Sequence, residues 1–224
     1  MNLLFNFYFL VSLSFLAFSH CQKEENPLKG KSKHEINRYL RDAVERKDLS
    51  LLQLVIEAGM DVKSEEVARI FLDLVKKGDK DLVEKLLQAG VNPNFTYRKR
   101  YTPLKYALDT KQKDMIQLLL RYKLEIDRPN FNDETELMRM VSENKTEQIE
   151  FLLANKASPN FQTKWGMSPL MIAAKKGNKE VITILLAAGA KKDLNNSYRK
   201  TAYRLAKENG HKEVLDLLRP PGEK

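Results

Sequence analysis

A step of 33 residues runs through most of this chain. Thr102, Thr135, Ser168 and Thr201 follow one another at that interval. So do Leu104, Leu137 and Leu170, then Leu86, Leu119, Leu152 and Leu185, and finally Asn94, Asp127, Asn160 and Asp193. Four columns on one period mean copies of a single small unit, and such a unit buries its apolar face only against its neighbours. Lys47, Gly78, Lys111, Asn144, Gly177 and Gly210 extend the series to about six copies, with only the first interval shortened, to 31. The array runs from about Asn37 to Leu218.

Each copy reads as two helices and a turn. Thr102-Pro103-Leu104 and Ser168-Pro169-Leu170 set a hydroxyl at an N-cap and a proline at the first helical position, where its missing N–H costs nothing. That helix ends near Gly177 or Gly210, and a second follows with an apolar stripe such as Val181, Ile182, Ile184, Leu185 and Leu186. Gly59, Gly90 and Gly189 fall where the second helix stops and a positive φ is easiest. Lys123 and Lys156 hold the same slot in the middle of the array, where a left-handed backbone costs a side-chain-bearing residue about 1 kcal/mol. Weaker helix ends are expected at those two places. Leu104, Ala107, Leu119, Leu137, Met140, Leu152, Leu170, Ala173, Leu185 and Ala206 are the expected core, and Arg38, Arg41 and Asp42 at one end and Arg219-Pro220-Pro221-Gly222 at the other suit polar caps.

These motifs carry a family resemblance. The stretch from Trp165 to Asp193, with Ser168-Pro169-Leu170-Met171-Ile172-Ala173-Ala174, Gly177-Asn178-Lys179-Glu180-Val181, Leu185-Leu186 and Gly189-Ala190, resembles the ankyrin repeat. Thr201-Ala202-Tyr203, Ala206, Gly210-His211-Lys212-Glu213-Val214 and Leu217-Leu218 repeat the pattern, and the earlier copies follow it more loosely. The resemblance implies an all-α solenoid of helix pairs joined by hairpin-like loops. It also implies recognition of a protein partner by the concave face and loop fingers, with no catalysis.

The first twenty residues are of another kind. Residues 1–20 carry no charged side chain, and Leu3 to Phe18 is apolar except for Asn6, Ser12 and Ser14, the length of a secretory leader and short for a membrane span. The net charge of +9 (39 Lys and Arg against 30 Asp and Glu) therefore belongs to the remainder. Ala17-Phe18-Ser19 fits an ordinary signal peptidase cutting after Ser19. Phe18-Ser19-His20-Cys21 resembles a bacterial lipoprotein signal that would lipidate Cys21, although His20 stands where that pattern has a small residue. Cleavage by either route places the protein outside the cytoplasm, lipid-anchored or periplasmic if Cys21 is lipidated and secreted if the cut follows Ser19; an uncleaved anchor or no export is the third reading. Residues 21–36, highly charged and broken by Pro27 and Gly30, are expected to be a flexible tether; residues 37–219 are the repeat domain and 220–224 a tail.

Nothing in the sequence assembles a catalyst. Cys21 and His20 lie at the processing site, His34 lies in the expected tether, and His211 occupies a turn slot where a structural hydrogen bond is the expected role. Phosphate-loop, dinucleotide, zinc-protease and nucleophile-elbow motifs are missing, so neither a cofactor, a metal nor a small-molecule substrate is expected. Pairs such as Glu65-Glu66 and Asp133-Glu134 fall at helix starts, where negative charge suits the dipole. Acids and bases alternate along the helices, as Lys80 and Asp81 do, which argues against nucleic acid. What the repeat does not explain lies in the loops: Tyr97-Arg98-Lys99-Arg100-Tyr101, Phe131, Lys164-Trp165 and Tyr198-Arg199. Lys99, Asn132, Trp165 and Tyr198 are equivalent by the period and should line one edge. Aromatic and arginine side chains concentrate binding energy, so these are the candidate partner-binding residues. If instead the cluster Arg98 to Arg100 dominates, the chain would bind an anionic lipid or glycan surface.

Overall fold

The computed structural model of the chain describes residues 25–98 and 100–220. Cys21, the leader, the last four residues and Lys99 lie outside the described residues. The chain divides into two units at Asp61/Val62.

The first unit is a helix pair, α1 (Lys33–Arg46) and α2 (Leu49–Glu57). Here the expected tether is shorter than the sequence suggests. Ser32 accepts from Glu35 N while the Glu35 carboxylate accepts from Ser32 N, a reciprocal cap that starts α1 four residues inside the charged stretch. Ahead of it, Asn26 Nδ2 donates to Leu54 O (2.8 Å) and Leu28, the one aliphatic side chain of the segment, is buried with Ile36, Leu40, Ala43, Leu52 and Val55. A single apolar residue and an amide thus anchor a segment whose composition alone predicts coil.

The second unit contains five more helix pairs: α3 (Glu65–Lys77) with α4 (Lys80–Gln88), α5 (Pro103–Asp109) with α6 (Lys113–Arg121), and α7 (Glu136–Ser142) with α8 (Thr146–Ala154). They continue with α9 (Pro169–Lys176) and α10 (Lys179–Ala187), then α11 (Ala202–Glu208) and α12 (Leu215–Leu218), the last preceded by a 3₁₀ turn at Lys212–Val214. First helices pack on first helices, α3 on α5, α7 on α9 and α9 on α11; second helices do the same, α4 on α6 and α8 on α10. Among the described residues no helix is long and apolar enough to cross a membrane.

The period has a physical cause at each column. Thr102, Thr135, Ser168 and Thr201 are N-caps whose hydroxyls accept the N–H three residues on, at 3.1, 3.3, 3.3 and 3.3 Å. Lys47, Gly78, Lys111, Asn144, Gly177 and Gly210 all take positive φ, between 53° and 81°, where the first helix turns into the second. Gly59, Gly90, Lys123, Lys156 and Gly189 do so again after the second helix. The two lysines hold the left-handed backbone at φ 65° and 68°. All ten expected core residues are buried.

The Asn/Asp column ties each repeat to the next. Asn94 Nδ2 donates to Lys123 O (2.8 Å) while its Oδ1 accepts from Glu125 N (2.7 Å). Asn160 does the same with Gly189 O (3.0 Å) and Lys191 N (2.8 Å). Asp127, which has no amide to donate, only accepts, from Ser158 N (2.9 Å). His211 likewise bonds across a repeat boundary instead of within its own turn: its Nε2 lies 3.0 Å from Lys175 O. Gly177 sits beneath that ring, so a Cβ there would fall on the imidazole.

Candidate protein-binding face

Four loops of one design precede α5, α7, α9 and α11. Each is closed by an N–H to C=O bond across five residues: Tyr97 to Tyr101 (2.8 Å), Asn130 to Glu134 (2.9 Å), Thr163 to Met167 (3.0 Å) and Asn196 to Lys200 (3.1 Å). In the last three, the first side chain also holds the tip. Asn130 Oδ1 accepts from Asn132 N and Glu134 N, Thr163 Oγ1 from Trp165 N and Met167 N, and Asn196 Oδ1 from Tyr198 N and Lys200 N. These residues share the 33-residue step, a signal present in the sequence but hidden among other polar loop residues. Thr163 and Asn196 are buried, as such a role requires.

The fingers are also joined to each other. Lys164 N donates to the Asp133 carboxylate, Ser197 N to Trp165 O (2.9 Å), and Gln162 Nε2 to both Gly166 O (2.7 Å) and Asn195 O (3.1 Å). Gly166 takes φ +71°, and a Cβ there would lie 2.7 Å from Asn196 Cα, so only glycine lets the neighbouring finger approach this closely.

On this backbone the aromatic candidates separate into two groups. Phe131, Trp165 and Tyr198 stand on three successive tips with 67, 59 and 74 % of their surface exposed. Lys164 Nζ lies 5.6 Å from the Trp165 ring centre, and Arg199, at φ 56°, is exposed beside Tyr198. The first finger is different. Tyr97 has no side-chain oxygen placed to staple the tip, and the left-handed residue is Arg98 (φ 48°), one place after the closing tyrosine, instead of the residue three places after it as at Asp133, Gly166 and Arg199. Arg98 folds back over the Tyr97 ring (5.2 Å), Tyr101 stacks on Tyr106 (5.7 Å, 8° between planes), and Arg100 points to solvent. So Tyr97 and Tyr101 are half-buried packing residues as well as candidates.

Between the first helices, Arg139 gathers carboxylates. Its Nε donates to Glu136 (2.6 Å) and its Nη1 to Glu143 (3.0 Å), while Nη2 lies 2.8 Å from Asp109 on α5 without hydrogen-bond alignment. Burial pushes the Glu136 carboxyl above its ordinary range, against the pull of Arg139. The sequence reading missed this cluster, since Glu136, Arg139 and Glu143 share one helix face but only packing brings Asp109 of α5 to them.

Stacked helix pairs, capped by a Thr/Ser column and carrying a row of loop fingers, define a tandem-repeat α-solenoid. Residues 137–224 match the family model for ankyrin repeats, in three copies. That stretch is similar to ankyrin repeats, a module for protein–protein interaction. No curated protein is similar enough to this chain to count as a match.

Proposed function

We propose that this protein is an exported, non-catalytic scaffold that grips a protein partner with its finger tips and the adjoining first helices. The observation that carries the reading is the row Phe131, Trp165 and Tyr198: three large aromatic side chains left in water on loops tied to one another, by Lys164 N on the Asp133 carboxylate and by Ser197 N on Trp165 O. Large apolar side chains held rigidly in solvent lose little entropy on binding and gain burial, which is the profile of interface anchors. Lys164 and Arg199 beside them supply a polar rim.

The opposite edge supports this choice over a general affinity for anionic surfaces. There the lysines are answered by carboxylates: Lys77 by Asp73 (2.6 Å), Lys80 by Asp114 (3.3 Å) and Lys113 by Glu147 (2.9 Å). A photo-crosslinking amino acid at position 165 or 198, and at the outward-facing Thr183 of α10 as control, tests the reading in cells of the native organism. One discrete crosslinked protein from 165 and 198 and none from 183 is the expected result; crosslinks from 183 alone would overturn it. Export rests on the leader and Cys21, which lie outside the described residues. Intact mass spectrometry of the mature chain decides between its two forms, a diacyl mass on Cys21 for the lipid anchor and His20 as first residue for the secreted product.

A further inference from the structure

The helix α3 is longer than its counterparts, 13 residues against seven or eight in α5, α7, α9 and α11. No finger precedes it: Ser64 caps it directly, and its face runs alongside the first finger. Arg69, Leu72, Asp73 and Lys76 of α3 and Tyr97, Arg98, Tyr101 and Tyr106 opposite enclose a cleft of about 330 Å³. Its walls are aromatic, with the Tyr101–Tyr106 stack on one side and Lys76 Nζ 6.0 Å from the Tyr106 ring centre.

The charges in this cleft are unevenly satisfied. Arg69 donates to Glu66 (3.0 Å) and Asp73 accepts from Lys77 (2.6 Å). Lys76 and Arg98 lie over tyrosine rings and meet no carboxylate among the described residues. The larger lysine-rich groove at the other edge, lined by Lys77, Lys80, Lys111 and Lys113, already contains Asp114 and Glu147. Two cations laid over an aromatic wall, both reachable from solvent, are an incomplete ion arrangement that carboxylates from outside would complete. Tyr106 adds a donor, since burial holds its phenol up and hence protonated.

We infer that the cleft between α3 and the first finger receives an acidic segment of the partner protein, whose carboxylates meet Lys76 and Arg98 while its chain lies along the tyrosine wall. This rests on the partner-binding reading above and assigns the finger row and the cleft to different parts of one ligand. The volume suits one or two side chains, so the segment is extended, not a folded surface.

The probe is a fluorescein-labelled deca-glutamate peptide, titrated by anisotropy against the full chain at low salt, with deca-lysine and phosphatidylserine/phosphatidylcholine vesicles in parallel. Lys76→Ala/Arg98→Ala should weaken deca-glutamate binding at least tenfold. Lys80→Ala/Lys113→Ala removes equal charge elsewhere and should change it less than twofold, and Lys76→Arg should keep most of it. Matching unfolding midpoints for the variants exclude misfolding. Equal losses in the two double variants, no binding of deca-glutamate, or loss of vesicle binding alone would each overturn the assignment. The readings fail separately: if Lys76→Ala/Arg98→Ala captures the protein crosslinked through position 165 with the parent's affinity, the scaffold stands and the cleft assignment falls; if position 165 captures nothing, the scaffold reading falls by itself.

Discussion

Lys123 and Lys156 occupy the same strained slot, yet their neighbours treat them differently. Asn94 donates to Lys123 O, whereas the residue one period on, Asp127, has no N–H to offer. Asp127→Asn restores the missing donor, and the expected gain is about 1 kcal/mol, or a rise of about 2–4 °C in the unfolding midpoint for a chain of this size. An unchanged midpoint in a thermal scan would show that the carbonyl at 156 is already satisfied by water. Gly177 makes the converse case. Gly177→Ala combines a positive φ with a methyl driven into His211 and should cost about 2–3 kcal/mol; Gly210→Ala, where nothing lies within 4 Å, should cost only about 1 kcal/mol. Chemical denaturation of the two variants checks the difference, and a His211→Ala background should narrow it.

At the scale of the element, caps decide where helices begin, and one of them is an acid–base device. The Glu35 carboxyl, bonded to Ser32 N and Oγ with Lys31 beside it, is held down from its ordinary 4.5 to about 2. A lowered folded value means that the cap's contribution is present in full above about pH 4.5 and is lost as pH falls toward 2. Glu136 has the opposite sign: its carboxyl is raised by burial, so its ionisation costs stability as pH rises through the interval above 4.5. Helicity followed by circular dichroism should fall between pH 4.5 and 2, and Glu35→Gln should flatten that part of the curve while lowering the starting level at neutral pH. A variant with the same acid profile as the parent would remove Glu35 as its source.

The same scale shows what the sequence could carry. Thr102, Thr135, Ser168 and Thr201 announce their helices because a cap is local chemistry, and the left-handed slots are legible because glycine, asparagine and a fixed period mark them. The start of α1 was hidden, since Ser32 and Glu35 sit in a stretch whose charge predicts coil. Likewise the extra turn of α3 was invisible to the period: the slot that should hold Thr-Pro-Leu holds Arg69, already inside the helix. Of the candidate site, the exposed tips Phe131, Trp165 and Tyr198 were found by subtraction, as residues the repeat does not need. Arg69, Lys76 and Tyr106 were not, because only packing brings α3 against the first finger.

For the molecule as a whole, stability rests on one set of residues and the proposed recognition on another. The interior is the columns Leu104/Leu137/Leu170 and Leu119/Leu152/Leu185, each buried by the next copy, while the finger tips touch water. Substituting a core position such as Leu152→Ala should cost about 2–5 kcal/mol and unfold the array cooperatively. The most direct test is the opposite substitution, Phe131→Ser/Trp165→Ser/Tyr198→Ser, assayed for thermal midpoint and for binding of the crosslink-identified partner. The expected result is a midpoint within about 1–2 °C of the parent and affinity reduced more than tenfold. A midpoint lowered by many degrees with binding intact would contradict the account.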